Sequence, residues 1–372
     1  MSKREHIYYF DYLRVMAGIF VIFMHVAAGP LRREINGNWQ LLNMVTCISF
    51  TAVPLFLMMS GYLSLTNEKT MDTGLLLKKR LPRLFFPLAG WTVVALLWRM
   101  LSARQFSFAA LYDGLVGALS SPATVHLWYM YTLIALTVIS PILCGGLKAL
   151  DRKGHILVFV IIGVISLRTA AFIFAPGWLD RLLNVDVITQ LTFFNGHLAT
   201  YLLGYYLGSL KKRIPNWILI TGIVVLIAVI TLGTYWKTVS TGAYDQTFQT
   251  QSRGFEVILA AFVFLLFKQN CNKKSRVLAI VPLVPLSLAI YLMHNILLSM
   301  MFSVGLRVDG FWDVAAATLI NFAVCFLVMK TVATVKPLCY LATGMTFREA
   351  SETCNWIYTV RRIKAKRVDH KE

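Results

Sequence analysis

The sequence predicts an all-α, polytopic integral membrane protein with about ten transmembrane helices and both termini in the cytoplasm. Three observations carry this prediction. The 372 residues are 58% hydrophobic and only 14% charged, whereas a soluble domain is roughly 25% charged. Apolar stretches long enough to span a bilayer recur along the chain. The basic residues, which bring the formal net charge to +19, collect in alternate connections between those stretches.

The apolar segments run over residues 8–29, 42–66, 84–101, 127–147, 156–175, 190–209, 216–236, 255–268, 277–304 and 311–334. The first is too long for a signal-peptide core and is expected to remain as a span. Segments two and three are joined by a stretch holding Lys78, Lys79, Arg80 and Arg83, and later even-to-odd connections hold Arg152-Lys153 and Lys211-Lys212-Arg213. The break after segment eight adds Lys268, Lys273, Lys274 and Arg276, while the other connections hold scattered cations such as Arg32, Arg33, Arg104 and Arg181. Basic residues are retained on the cytoplasmic side, which sets an N-in, C-in orientation in the cytoplasmic membrane. Residues 1–335 are expected to form the transmembrane domain and 336–372 a basic cytosolic tail. That tail, ending in Arg361-Arg362 and Lys364 to Arg367, suits anionic lipid of the inner leaflet. The charge therefore argues for membrane orientation, and no nucleic-acid partner is expected. Cys47, Cys144 and Cys325 fall in spans and Cys271, Cys339 and Cys354 on the cytosolic side. Neither a disulfide framework nor a metal site is expected from that placement.

Segment one contains an arginine and a histidine, Arg14 and His25. Ionisable residues inside a span are costly and generally face a protein interior or a wet cavity. Eleven positions at about 100° each leave the two side chains within roughly 20° of one helix face, about 16 Å apart along the axis. One stripe thus carries a permanent cation and, half a bilayer core away, a titratable base. Asp11 stands three residues before Arg14, within reach of an i,i+3 pair, and Gly18 lies between the two on the same stripe.

The remaining polar residues stratify by depth. His126, Asn195, His197, Glu256 and His294 join His25 in the outer third, while Arg14, Arg80 and Arg83 lie towards the inner side. An imidazole suits deprotonation of a hydroxyl nucleophile, and arginine binds phosphate in bidentate fashion. The inner layer therefore fits a phosphorylated cytosolic donor and the outer layer proton transfer with an acceptor. Each residue also has a structural reading. His126 and His197 fit interfacial loops, His25 and His294 fit interhelical hydrogen bonds, and Arg80 and Arg83 fit orientation alone. Trp128 and Tyr129 fit an aromatic belt, and Ser60-Gly61 with Gly204 and Gly208 fit small-residue helix packing.

Taken together, these residues resemble the acyltransferase-3 family of polytopic membrane acyltransferases. Arg14 and His25 are similar to the pair in that family's first span, and Phe56-Leu57-Met58-Met59-Ser60-Gly61-Tyr62 to its F-x-x-S-G-aromatic signature. Arg80-Leu81-Pro82-Arg83 resembles its R-x-x-R segment, Leu127-Trp128-Tyr129 its L-W-[FY] motif, and Tyr291-Leu292-Met293-His294 its late Y-L-x-H. The resemblance covers about residues 7–334. It implies transfer of an acyl group, commonly acetyl from acetyl-CoA, to a hydroxyl of an envelope sugar or lipid-linked saccharide. It further implies that His25 is catalytic, that Arg14 handles the donor, and that Ser60, Gly61, Arg80, Arg83 and Trp128 line or support the donor route. His294 and Glu256 are the further catalytic candidates, to orient the imidazole or stabilise the oxyanion. No bound cofactor is implied, since acyl-CoA is a substrate. Direct attack by the acceptor and a two-step route through an acyl-histidine both remain open, and a homo-oligomer is compatible with either.

Three competing readings have distinct signatures. A transporter or flippase also uses intramembrane arginine and histidine, and inverted repeats with broken helices would mark it. A different membrane O-acyltransferase fold would place the base at His294 and make His25 dispensable. A non-catalytic scaffold would need neither.

Overall fold

The computed structural model describes residues 6–33, 35, 37–174, 196–249, 254–273 and 282–369. Asn195 and Arg181 lie outside the described residues, as do Arg253, Lys274 and Arg276. The described residues are helical, with no strand among them, and every one of the ten apolar segments contains a helix. Among the described residues six helices are long and apolar enough to cross a membrane, taking Trp39–Leu65 as one rod. The chain separates into two compact units.

The first unit comprises residues 1–73, 139–274 and 308–315. It begins with α1 (Tyr8–Leu31), followed by α2 (Trp39–Phe50) and α3 (Ala52–Leu65). Sequence places α2 and α3 in one segment, and the structure breaks that segment at Thr51. There the Thr51 hydroxyl donates to the Ile48 carbonyl at 2.6 Å, and Pro54 follows three residues later. A back-bonding threonine and a proline are sufficient causes for a helix to bend.

In the second unit, residues 74–138, 275–307 and 316–372, α4 (Pro82–Ser102) starts with proline at its first position, where the missing N–H is no loss. The short α5 (Phe108–Gly117) is capped by the Ser107 hydroxyl. Further along the chain come α6 (Trp128–Ala149), α7 (Arg152–Phe174), α8 (His197–Ser209), α9 (Asn216–Thr241) and α10 (Phe255–Asn270). The last elements are α11 (Ser287–Ser303), α12 (Phe311–Val332), α13 (Lys336–Thr343), α14 (Phe347–Thr353) and α15 (Trp356–Asp369).

In the first unit, α3 and α8 cross backbone to backbone. A Cβ on Gly61 would collide with the Tyr201 carbonyl, one on Gly204 with the Met58 backbone, and one on Gly208 with the Tyr62 ring. Among lipids no hydrophobic drive brings helices together, so close van der Waals approach between small residues supplies the attraction. Tyr201 of α8 is also hydrogen bonded to Ser140 of α6 at 2.7 Å. Around this crossing Phe10, Leu13, Leu55, Met58, Val257 and Phe264 form a buried core.

In the second unit the segment after Val335 is folded. Trp91 of α4 donates to the Ala342 carbonyl at 3.0 Å, and Asn355 donates to the Ala333 carbonyl at 3.1 Å. Thr346 and Glu349 form a reciprocal capping box that starts α14.

Candidate active site

Arg14 and His25 both lie on α1, as the spacing requires. Val21 to Met24, Val26 and Ala27 are buried around His25, which is itself half-buried. Arg14 is half-buried too, beside the buried Leu13 and Ala17.

Arg14 lines a cavity of about 740 Å³ at the end of the first unit where α1 begins. Its walls are the first turns of α1 and the C-terminal ends of α3, α8 and α10, contributing among others Asp11, Tyr62, Thr66, Gly208, Lys268 and Asn272. That volume falls in the range of small-ligand sites. The start of α1 is tied to the rim, because the Tyr8 backbone N–H donates to Asn272 Oδ1 at 3.0 Å. Asp11 is buried and hydrogen bonded to His6 at 2.5 Å. Two basic side chains, Arg14 and Lys268, thus face this polar hollow.

Ser60 is half-buried on α3 and Gly61 is buried. Gly61 lets α8 approach, so the packing role foreseen for this pair is realised at that residue. Glu256 is fully buried in the first turn of α10, and neither carboxyl oxygen has a hydrogen-bond partner. It therefore makes no hydrogen bond to His25. His197 opens α8 and is half-buried.

The second unit brings two motifs together. His126 sits in a 3₁₀ turn and is buried, where sequence favoured an interfacial loop. Its Nε2 lies 3.1 Å from the Leu292 carbonyl and its Nδ1 3.1 Å from the Thr124 hydroxyl. Tyr291 in turn donates its hydroxyl to the His126 carbonyl. The His126 and His294 ring centres are 4.9 Å apart. His294 Nδ1 lies 2.5 Å from the Tyr291 carbonyl, and Asn321 donates to the His294 carbonyl at 3.0 Å. A nitrogen facing a carbonyl carries the proton, so the lone pair of His294 resides on Nε2. Trp128 is half-buried at the start of α6, edge-on to Tyr129.

Arg80 is half-buried in a π-turn before α4. Arg83 is paired with Glu349 of α14. Burial opposes ionisation of Glu349, but the Thr346 backbone N–H, Arg83 and the Thr346 hydroxyl together hold its carboxyl below the usual carboxylate range.

Sequence reasoning missed Lys268, Asn272 and His6 as cavity residues and Asn321 as a partner of His294. Lys268 had been read only as a charge that orients a span. Its one distinguishing sign is position, at the last turn of an apolar segment rather than beyond it.

A family model, described as an acyltransferase domain, matches residues 7–330, nearly the whole chain. Comparison with curated proteins gives no match, and neither does comparison with solved structures. The match and the helical, membrane-spanning architecture agree with the motifs read from the sequence. The chain belongs to the acyltransferase-3 family, and is a membrane acyltransferase.

Proposed function

We propose that the protein transfers an acyl group, acetyl in the first instance, from cytosolic acyl-CoA to a hydroxyl of an envelope sugar or lipid-linked saccharide. The observation supporting this most directly is the Arg14 cavity, a polar hollow of about 740 Å³ on the same helix as His25. A CoA thioester is long, narrow and polyanionic at one end. Arg14 would hold a phosphate of its anionic end by charge-assisted hydrogen bonds. The thioester would then extend along α1 towards His25.

In the direct route, His25 takes the acceptor hydroxyl proton as its oxygen attacks the thioester carbon. The tetrahedral oxyanion collapses, the C–S bond breaks, and the thiolate of CoA leaves and is protonated by the imidazolium. In the two-step route the imidazole nitrogen attacks the thioester carbon and the C–S bond breaks to release the CoA thiolate. The acceptor oxygen then attacks the acyl-imidazole carbon, the C–N bond breaks, and the hydroxyl proton ends on the thiolate. General base catalysis of this type contributes typically 10²–10⁴-fold. The cytoplasmic membrane is the location that a cytosolic donor and an envelope acceptor require.

The test uses protein in nanodiscs with acetyl-CoA labelled in its acetyl group, following CoA release and label appearing in an envelope-lipid extract. Loss of transfer in His25→Ala, with Arg14→Ala mainly weakening donor use, is expected. Full activity in His25→Ala would move the base to another residue, His294 first. Absence of acetyl transfer by the wild type, with other acyl-CoAs also inert, would overturn the reading.

A further inference from the structure

A second hollow adjoins the Arg14 cavity, and the two share Lys268 as a wall. It measures about 230 Å³ and is lined by Lys211, Lys212, Arg213, Lys268 and Gln269 with Leu210 and Leu265. Four cations and no carboxylate line it. Lys211, Lys212 and Arg213 are exposed around it and Lys268 is half-buried, and an anion placed among like charges relieves their mutual repulsion.

The hollow is built rather than left over. Lys268 donates to the carbonyls of Leu207 and Leu210 at 2.8 and 2.6 Å, capping the C-terminal end of α8. Two of its three donors are thereby used, and one remains. The Ile214 backbone N–H donates to Gln269 Oε1 at 2.7 Å, and Arg213 donates to the Gln269 carbonyl at 3.1 Å. Asn216 and Asn270 exchange hydrogen bonds at 3.0 and 3.1 Å. The basic loop between α8 and α9 is thus pinned along the last turn of α10. Gln269 Nε2, by contrast, is buried with no hydrogen-bond acceptor. An unsatisfied buried donor calls for an explanation, and an anion in this hollow supplies one.

We propose that this hollow is a phosphate site, and that it takes the phosphate monoester at the nucleotide end of the acyl donor. The assignment rests on the donor reading above. CoA carries a phosphate monoester on its ribose, separated from the diphosphate by the sugar. Arg14 and the Lys211–Arg213 loop, with Lys268 between them, suit two phosphate groups on one ligand. A monoester near neutral pH carries close to two charges, which matches a four-cation pocket better than a singly charged lipid diester does.

The probe is adenosine 3′,5′-bisphosphate, the nucleotide end of CoA without a thioester, titrated against the protein in phosphatidylcholine nanodiscs. Wild type is expected to bind it about tenfold more tightly than Lys211→Ala/Lys212→Ala, the loss of charge-assisted phosphate contacts. Adenosine 5′-monophosphate, which lacks the monoester in question, should show little difference between the two proteins. Arg152→Ala/Lys153→Ala, which removes two basic residues from another connection, should bind as wild type does. Melting temperatures in the same discs check folding, and Lys211→Gln serves if the double variant does not fold.

Equal affinity of wild type and variant for the bisphosphate overturns the assignment. So does a variant that loses only co-purifying phosphatidylglycerol while keeping its bisphosphate affinity, since the occupant is then a lipid headgroup. Because binding needs no turnover, a protein inert with acyl-CoA yet selective for the bisphosphate would sink acyl transfer and spare the phosphate site. Turnover with unaltered bisphosphate binding in the variant would do the reverse.

Discussion

The Arg14 cavity in the first unit and the His126–His294 cluster in the second are both polar groups set among apolar helices, and they are resolved in opposite ways. In the second unit both ring nitrogens of His126 have partners in the chain, and the backbone of the late motif supplies one of them. His126 and His294 are buried and their motifs are tied by Tyr291 and Asn321. In the first unit Arg14 and Lys268 face an open hollow of about 740 Å³, and His25 lies on the same helix as Arg14. The second unit ties its motifs to one another, whereas the first borders a hollow of ligand size, although the sequence motifs present both with equal prominence.

The comparison breaks most sharply at His25. His25→Ala is expected to lower acyl transfer by about 10²–10⁴-fold with little change in melting temperature, as for loss of a general base. A large fall in melting temperature with proportionate loss of activity would make His25 structural, like His126. The converse substitution, His126→Ala, removes two hydrogen bonds from a buried site and should cost about 2–3 kcal/mol of stability. Its KM for the donor should not move, and thermal unfolding alongside steady-state kinetics reads both. Arg14→Ala should raise the donor KM about tenfold to a hundredfold, within the range of a lost charge-assisted contact. A lysine at position 14 should recover part of the effect, because it keeps the charge and loses the fork.

The smallest effect is at Arg83–Glu349, a half-exposed pair in the second unit. Glu349 has its carboxyl held below the ordinary value in the folded state. Its stabilisation is therefore present above the unfolded pKa, near 4.3 for glutamate, and is lost as pH falls through the lower folded value. Glu349→Gln should cost less than about 1 kcal/mol near neutral pH, since exposed ion pairs are screened by water. The difference between variant and wild type should narrow as pH falls below the unfolded glutamate value and close below the lower folded one. A difference that persists in acid would assign the contribution to the capping hydrogen bonds instead.

Much of the fold was legible. Composition and segment length located a helix in each apolar stretch, and the cost of ionisable residues in a span singled out Arg14 and His25. The break at Thr51 was not read, although Thr51 and Pro54 are its causes. His126 was placed in a loop because depth in a membrane says nothing about burial against other helices. The C-terminal segment was read as a basic tail because its charge dominates its composition. The Thr346-x-x-Glu349 capping signal, which marks a folded helix start, was present in that same stretch. Lys268 escaped notice for a more general reason. A lysine that orients a span and a lysine that lines a cavity at its end have the same sequence signature, and only packing distinguishes them.

The crossing of α3 and α8 carries one more consequence. Where two backbones meet without intervening side chains, no rotamer change can loosen the contact, and a slip of one residue would drive Cβ atoms into the opposite chain. The pair must travel as a single rigid strut. Tyr62 and Thr66 of α3 and Gly208 of α8 all stand on one wall of the Arg14 cavity, so that wall has no hinge of its own. Any widening of the cavity is then left to its other walls, where α1 begins and α10 ends.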